Sequence, residues 1–97
     1  MAIFQVTPLA SNADRLAQAV AATIQEDSRY ELPNNAGWLV NFKGTSMELS
    51  HVLGLTGQPE GTPATLGSVL ITSIISYYGR ASADMWEWLK TRFESAS

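Results

Sequence analysis

The residues best suited to chemistry fall in three short runs. Lys43-Gly44-Thr45-Ser46 sets a lysine, a glycine and two hydroxyls before a helical pattern. Free backbone N–H groups and the helix dipole favour an anion there. The run lacks the glycine spacing and the Gly-Lys-Ser/Thr ending of a Walker loop. Anion binding by Lys43, Gly44, Thr45 and Ser46 is therefore one expectation. Ordinary capping is the other, since Thr45 and Glu48 stand at capping-box spacing. Tyr77-Tyr78-Gly79-Arg80 is the second run, followed by Trp88 and Arg92 on the next helical pattern. Trp, Tyr and Arg are the types that dominate binding hot spots, and adjacent tyrosines on a strand point to opposite sides. Tyr77, Tyr78, Arg80, Trp88 and Arg92 are the expected partner-binding set, with core-margin packing as the plainer reading of each.

The third run, Glu26, Asp27 and Glu31 around Arg29, is an acidic corner without the pocket that acid–base work requires. His51 is the only histidine and the one side chain that ordinarily titrates near neutrality. Its helical position places it on the Met47 side, away from Leu49, Val52 and Leu53, and neither Ser46 nor Ser50 shares its face well enough for a nucleophile–base pair. No catalytic residue is assigned.

Composition removes several further classes. The 97 residues are 45% hydrophobic, enough for one domain with a core. Without cysteine there is no disulfide scaffold, thiolate zinc site or thiol nucleophile, and a lone histidine cannot form a two-histidine metal site. No metal or cofactor is expected. Six basic residues against nine acidic ones give a net charge of −3. That opposes phosphate-driven nucleic-acid binding and docking on anionic lipid. No apolar run approaches a membrane span, and the Met1–Thr7 stretch has no basic region of a secretory leader. The expected location is cytoplasmic. Charged residues make up only 15% of the chain, which leaves a weakly self-repelling surface suited to association.

Those residues must be positioned by seven elements. Ala2 to Thr7 alternates and stops at Pro8, as a strand does. Asn12 to Glu26 carries Ala13, Leu16, Val20 and Ile24 on one helical stripe, with Ser11 or Asn12 able to cap it. Arg29–Leu32 and Gly37–Lys43 flank the turn residues Asn34-Asn35-Ala36-Gly37 and predict a hairpin. Thr45 opens a short helix that Gly54 and Leu55 can close. Leu55–Leu66, with two prolines and two glycines, is a connection long enough to serve as a lid. Gly67–Tyr78 holds the most apolar strand, and Ser82 or Ala83 begins a last helix with Met85, Trp86, Leu89 and Phe93 on one face.

The order β-α-β-β-α-β-α predicts an α+β sandwich of two or three layers. It matches the ferredoxin-like, or split βαβ, sheet with an added C-terminal helix. Phe4, Val6, Tyr30, Leu32, Trp38, Val40 and Phe42 are expected to face the first two helices, and the last helix to cover the opposite side. The Gly67–Tyr78 strand, placed at a sheet edge, would leave backbone groups from Ile74 to Tyr78 unpaired. A second copy of the chain, or another protein, is expected along that edge, with a bulge or twist that blunts it as the plainer reading. Thr45–Thr56 resembles the first helix and turn of helix-turn-helix DNA-binding domains. A recognition helix should follow at once, but Gly57-Gln58-Pro59-Glu60-Gly61-Thr62-Pro63 cannot form one.

The leading expectation is a small intracellular interaction module, a regulator, adaptor, inhibitor or subunit, without catalytic activity. The alternative is a binder or enzyme for a small anionic ligand at Lys43–Ser46.

Overall fold

Alternation in the first strand decides the architecture. The computed structural model describes residues 2–62, 65–76 and 78–96, with side chains through residue 92. In β1 (Ala2–Pro8), Phe4 and Val6 point to one face of the sheet and Ile3 to the other, and all three are buried. A strand apolar on both sides belongs in the middle of a sheet covered twice. β1 indeed pairs antiparallel with β3 (Trp38–Phe42) on one side and β4 (Val69–Ile74) on the other. β2 (Arg29–Glu31) adds to β3, so the sheet order is β2-β3-β1-β4 with every neighbour antiparallel. Together with α1 (Ala13–Thr23), α2 (Ser46–Val52) and α3 (Ala83–Ala96), the sheet makes an α+β fold.

Two cores result. Leu16, Val20 and Ile24 of α1, with Leu49 and Leu53 at α2, close over Phe4, Val6 and Val40. On the opposite face Trp88 and Leu89 of α3 close over Ile3 and Leu39, with Tyr30, Leu32 and Ile74 packed at the margin. Tyr30 and Leu32 thus lie on the α3 side, not against α1 and α2 as the sequence pattern suggested. The register explains it. Tyr30 stands opposite Leu39 and Leu32 N–H bonds to the Gly37 carbonyl, and directly opposed residues share a face. Arg29, one residue earlier, therefore points to the α1 side. Its guanidinium donates to the carbonyls of Ile24 and Ala21 at the end of α1, where no other basic residue lies in the last turn.

The hairpin turn and the α2 end follow their sequence signals. Asn34, Asn35 and Gly37 all take positive φ. A Cβ on Gly37 would lie 2.0 Å from the Val6 carbonyl oxygen, so the turn demands glycine where it crosses β1. At α2 the capping box is complete: Glu48 N–H donates to Thr45 Oγ1 and Thr45 N–H to Glu48 Oε1, both at 3.1 Å. The helix closes with Gly54 N–H on the His51 carbonyl and Leu55 N–H on the Ser50 carbonyl, the paired bonds of a Schellman end. Val52 is 50% exposed, because Leu49 and Leu53 alone fill the inward side of so short a helix.

Asn12 occupies the N-cap position of α1 without capping it. Only 1% exposed, it accepts from Ala10 N–H and donates to the carbonyls of Leu66, at 2.7 Å, and Ser68, at 3.0 Å. The end of the long connection is thereby tied to the start of α1. Elsewhere that connection lies back on α2: Ser50 and Thr56 hydroxyls meet at 2.7 Å, and Gln58 Nε2 donates to the His51 carbonyl. Pro63, within the expected lid, is outside the described residues. Among the described residues no helix is long and apolar enough to cross a membrane.

Replacing Asn12 by Ala strands the Leu66 carbonyl and the Ala10 N–H and leaves the Ser68 carbonyl with Leu9 N–H alone, so urea unfolding should show a loss of about 2–3 kcal/mol. Equal stability would mean that the three bonds do not hold the connection.

Candidate functional site

The expected aromatic–arginine set does not assemble in one place. α3 turns Met85, Trp86, Trp88 and Leu89 toward the sheet, with Arg92 one turn beyond Trp88. The expected face of Met85, Trp86 and Leu89 packs there, with Trp88 added to it; the side chain of Phe93 lies outside the described residues. Trp88 is 9% exposed, a core residue, with its ring 6.0 Å from that of Tyr30. The Arg92 guanidinium lies 4.9 Å from the Trp88 ring centroid and also donates to the Asp27 carbonyl. This stack fastens α3 to the turn before β2 and leaves Trp88 little area for a partner. Tyr30, absent from the expected set, belongs to it because the hairpin register carries it under α3. Trp88 Nε1 and Asn41 Oδ1 are buried without hydrogen-bond partners.

Tyr78 and Arg80 are elsewhere. They lie on the crossing from β4 to α3 and both are fully or largely exposed; Tyr77 falls outside the described residues. This crossing runs over the α3 face toward β2, where the Tyr30 hydroxyl meets Ser82 Oγ at 3.3 Å. Two open hollows flank it and share Leu32 and Met85. One, of about 540 Å³, is lined by Tyr30, Pro33, Asn35 and Arg80 among others. Its neighbour, of about 370 Å³, reaches Gln5, Leu39, Tyr78 and Trp86.

The Lys43–Ser46 corner is exposed throughout. Its helix end already holds a carboxylate: Glu48 Oε1 takes the Thr45 N–H that an incoming anion would use. Ring carbons of His51 lie where a Cβ on Gly57 would sit, so the histidine is wedged against the connection. Among the described residues no three His, Cys, Asp or Glu side chains gather as metal ligands.

The most distinctive surface is main chain. β4 ends at Ile74 rather than extending to Tyr78, its last pair with β1 being Ile3–Ile74. The next residue, Ile75, is 89% exposed. Which groups of β4 face outward follows from one bond. Leu9 N–H donates to the Ser68 carbonyl at 2.9 Å, one step beyond the Pro8–Val69 pair. Hydrogen-bonded and non-bonded pairs alternate along an antiparallel ladder. Leu70, Thr72 and Ile74 therefore bond to β1, while Val69, Ile71 and Ser73 turn their N–H and C=O outward. Leu32 bonded to Gly37 fixes the same alternation across β3 and β1, and it points the nitrogen of Pro8 past the end of β3, where no donor is needed. Among the described residues nothing pairs with the outer side of β4.

Comparison with protein-family models, with curated proteins and with solved structures finds no match.

Trp88 and Tyr78 should behave oppositely on truncation. Trp88→Ala is expected to lower the unfolding free energy by about 3–5 kcal/mol, and Tyr78→Ala to change it by less than about 0.5 kcal/mol. Chemical denaturation of the two variants checks this, and similar losses would contradict the burial of one and the exposure of the other. Thr45→Ala breaks the capping box and should cost about 1 kcal/mol in the same measurement.

Proposed function

We propose that the protein is a small interaction module without catalytic activity, built on the ferredoxin-like plan, which receives a partner strand along the outer edge of β4. The plan is supported by the connections. α1 joins β1 to β2 with β3 between them, and α2 joins β3 to β4 with β1 between them, which is two interleaved βαβ units. α3 is then the addition that covers the second face.

The observation that carries the binding reading is the contrast between the two edges. Natural sheets protect edge strands by shortness, charge, proline or bulges. β2 has the first three: it is three residues long, carries Arg29 and Glu31, and is followed at Pro33 by a turn. β4 has none. It is six residues long, pairs with β1 without a bulge, and contains no proline. From Gly61 to Gly79 the chain has no charged residue at all. An edge left this open is the template on which peptide strands add, main-chain bonds supplying affinity and alternate side chains selectivity. Ile75, exposed just beyond the strand, supplies an apolar side-chain contact beside that edge.

Ser73 offers a direct test. Its N–H points outward and its side chain is exposed, so Ser73→Pro removes an edge donor without breaking a bond to β1. The variant should keep the thermal midpoint within a few degrees and lose the partners that the wild-type protein captures from host lysate. A folded variant that captures the same partners would exclude the β4 edge as the binding site.

A further inference from the structure

The partner that this edge fits best is a second copy of the same chain, an inference that rests on the strand-addition reading above. We infer that two molecules pair β4 against β4, antiparallel about a two-fold axis at Ile71, into one continuous sheet.

Self-pairing is possible only if the edge is complementary to its own reverse. The outward residues Val69, Ile71 and Ser73 are evenly spaced, so reversing the strand about Ile71 sets Ile71 opposite Ile71, and Val69 opposite Ser73 of the second copy. Every outward residue then meets an outward residue, and each opposed pair exchanges two hydrogen bonds. Shifting the axis one residue either way leaves one outward residue of β4 in each copy without a β4 partner. Side chains match as well. On the α1–α2 side Ile71 meets its own copy and Val69 meets Ser73; on the α3 side Leu70 meets Thr72.

Charge favours a copy over a foreign strand. In this two-fold pairing an ionised residue at the axis would directly oppose its own like-charged mate. This edge and its flanks, from Gly61 to Gly79, have none. The same neutrality offers nothing for a basic or acidic peptide to pair with. The two-fold axis stands perpendicular to the sheet, so α1 and α2 of both copies share one side and the two α3 helices the other. Neither side is obstructed by the crossing after Ile74, which turns back over β1 toward β2 and away from the edge. Leu70, 51% exposed because α3 lies over Ile3, Leu39 and Tyr30 instead, gains a neighbour from the second copy.

Light scattering on the purified protein at submillimolar concentration should give twice the chain mass of 10.5 kDa for wild type and the single mass for Ser73→Pro. The register is read separately by cysteine trapping, which is clean because the chain has no cysteine of its own. Leu70 and Thr72 of the second copy form a non-hydrogen-bonded pair with Cα atoms about 4.5 Å apart, within disulfide reach. A mixture of Leu70→Cys and Thr72→Cys proteins should therefore oxidise to a covalent dimer, and each alone should do so far less. A monomeric wild type, or trapping indifferent to the combination, overturns self-pairing. If such a monomer still captures a partner that Ser73→Pro loses, strand addition stands and only the identity of the occupant is wrong. If that dependence is also absent, both readings fall.

Discussion

The register of β1 is the constraint on which the rest depends. Phe4 and Val6 supply one core and Ile3 the other, and the strand is hydrogen-bonded on both sides. A slip of one residue would exchange the two sets, sending Ile3 under α1 and Phe4 under α3. Both partners resist it. Gly37 crosses Val6 too closely for any side chain, and Pro8 can stand only where its nitrogen faces no acceptor. One strand thus decides which residues each helix must bury.

Coverage of the α3 side is uneven as a result. α3 is fastened near β2 by Trp88, whose ring lies tilted against that of Tyr30, and by Arg92 bonded to the Asp27 carbonyl. That fastening pulls the helix toward one edge of the sheet and leaves Leu70 and Thr72 bare at the other. The bare strip and the unprotected main chain of β4 coincide, and together they make one margin of the molecule finished and the opposite margin open.

Much of this was legible in the chain. Alternation located the strands, the Asn-Asn-Ala-Gly turn located the hairpin, and Thr45 with Glu48 and Gly54 with Leu55 marked both ends of α2. What escaped was set by register and by residues of mixed character. Tyr30 and Leu32 alternate with Arg29 and Glu31 in a strand of three residues, too few to show which parity is buried. Trp88 lies toward the edge of the apolar face that periodicity marks on α3 and so reads as marginal, although it is buried with the Arg92 guanidinium over its ring. Asn12 looked like a helix cap because its residue type and position are those of one. Its side chain instead finds carbonyls more than 50 positions away, and no local pattern announces such a bond. At Lys43–Ser46 both expectations rested on the same residues, and only the placement of Glu48 shows which group occupies the helix end.

The topology also dictates how the chain reaches this state. β2 and β3 are the only paired strands adjacent in sequence, closed by a turn whose asparagines and glycine are already suited to it. Phe4, by contrast, must find Val40 and Ser73, and joining such distant segments sacrifices chain entropy before any burial repays it. The hairpin is therefore the least costly of the three pairings to close, and the two made by the central strand carry most of the loop-closure entropy. A sheet whose middle strand is joined only by such distant pairings has the kind of topology in which long-range closure slows folding.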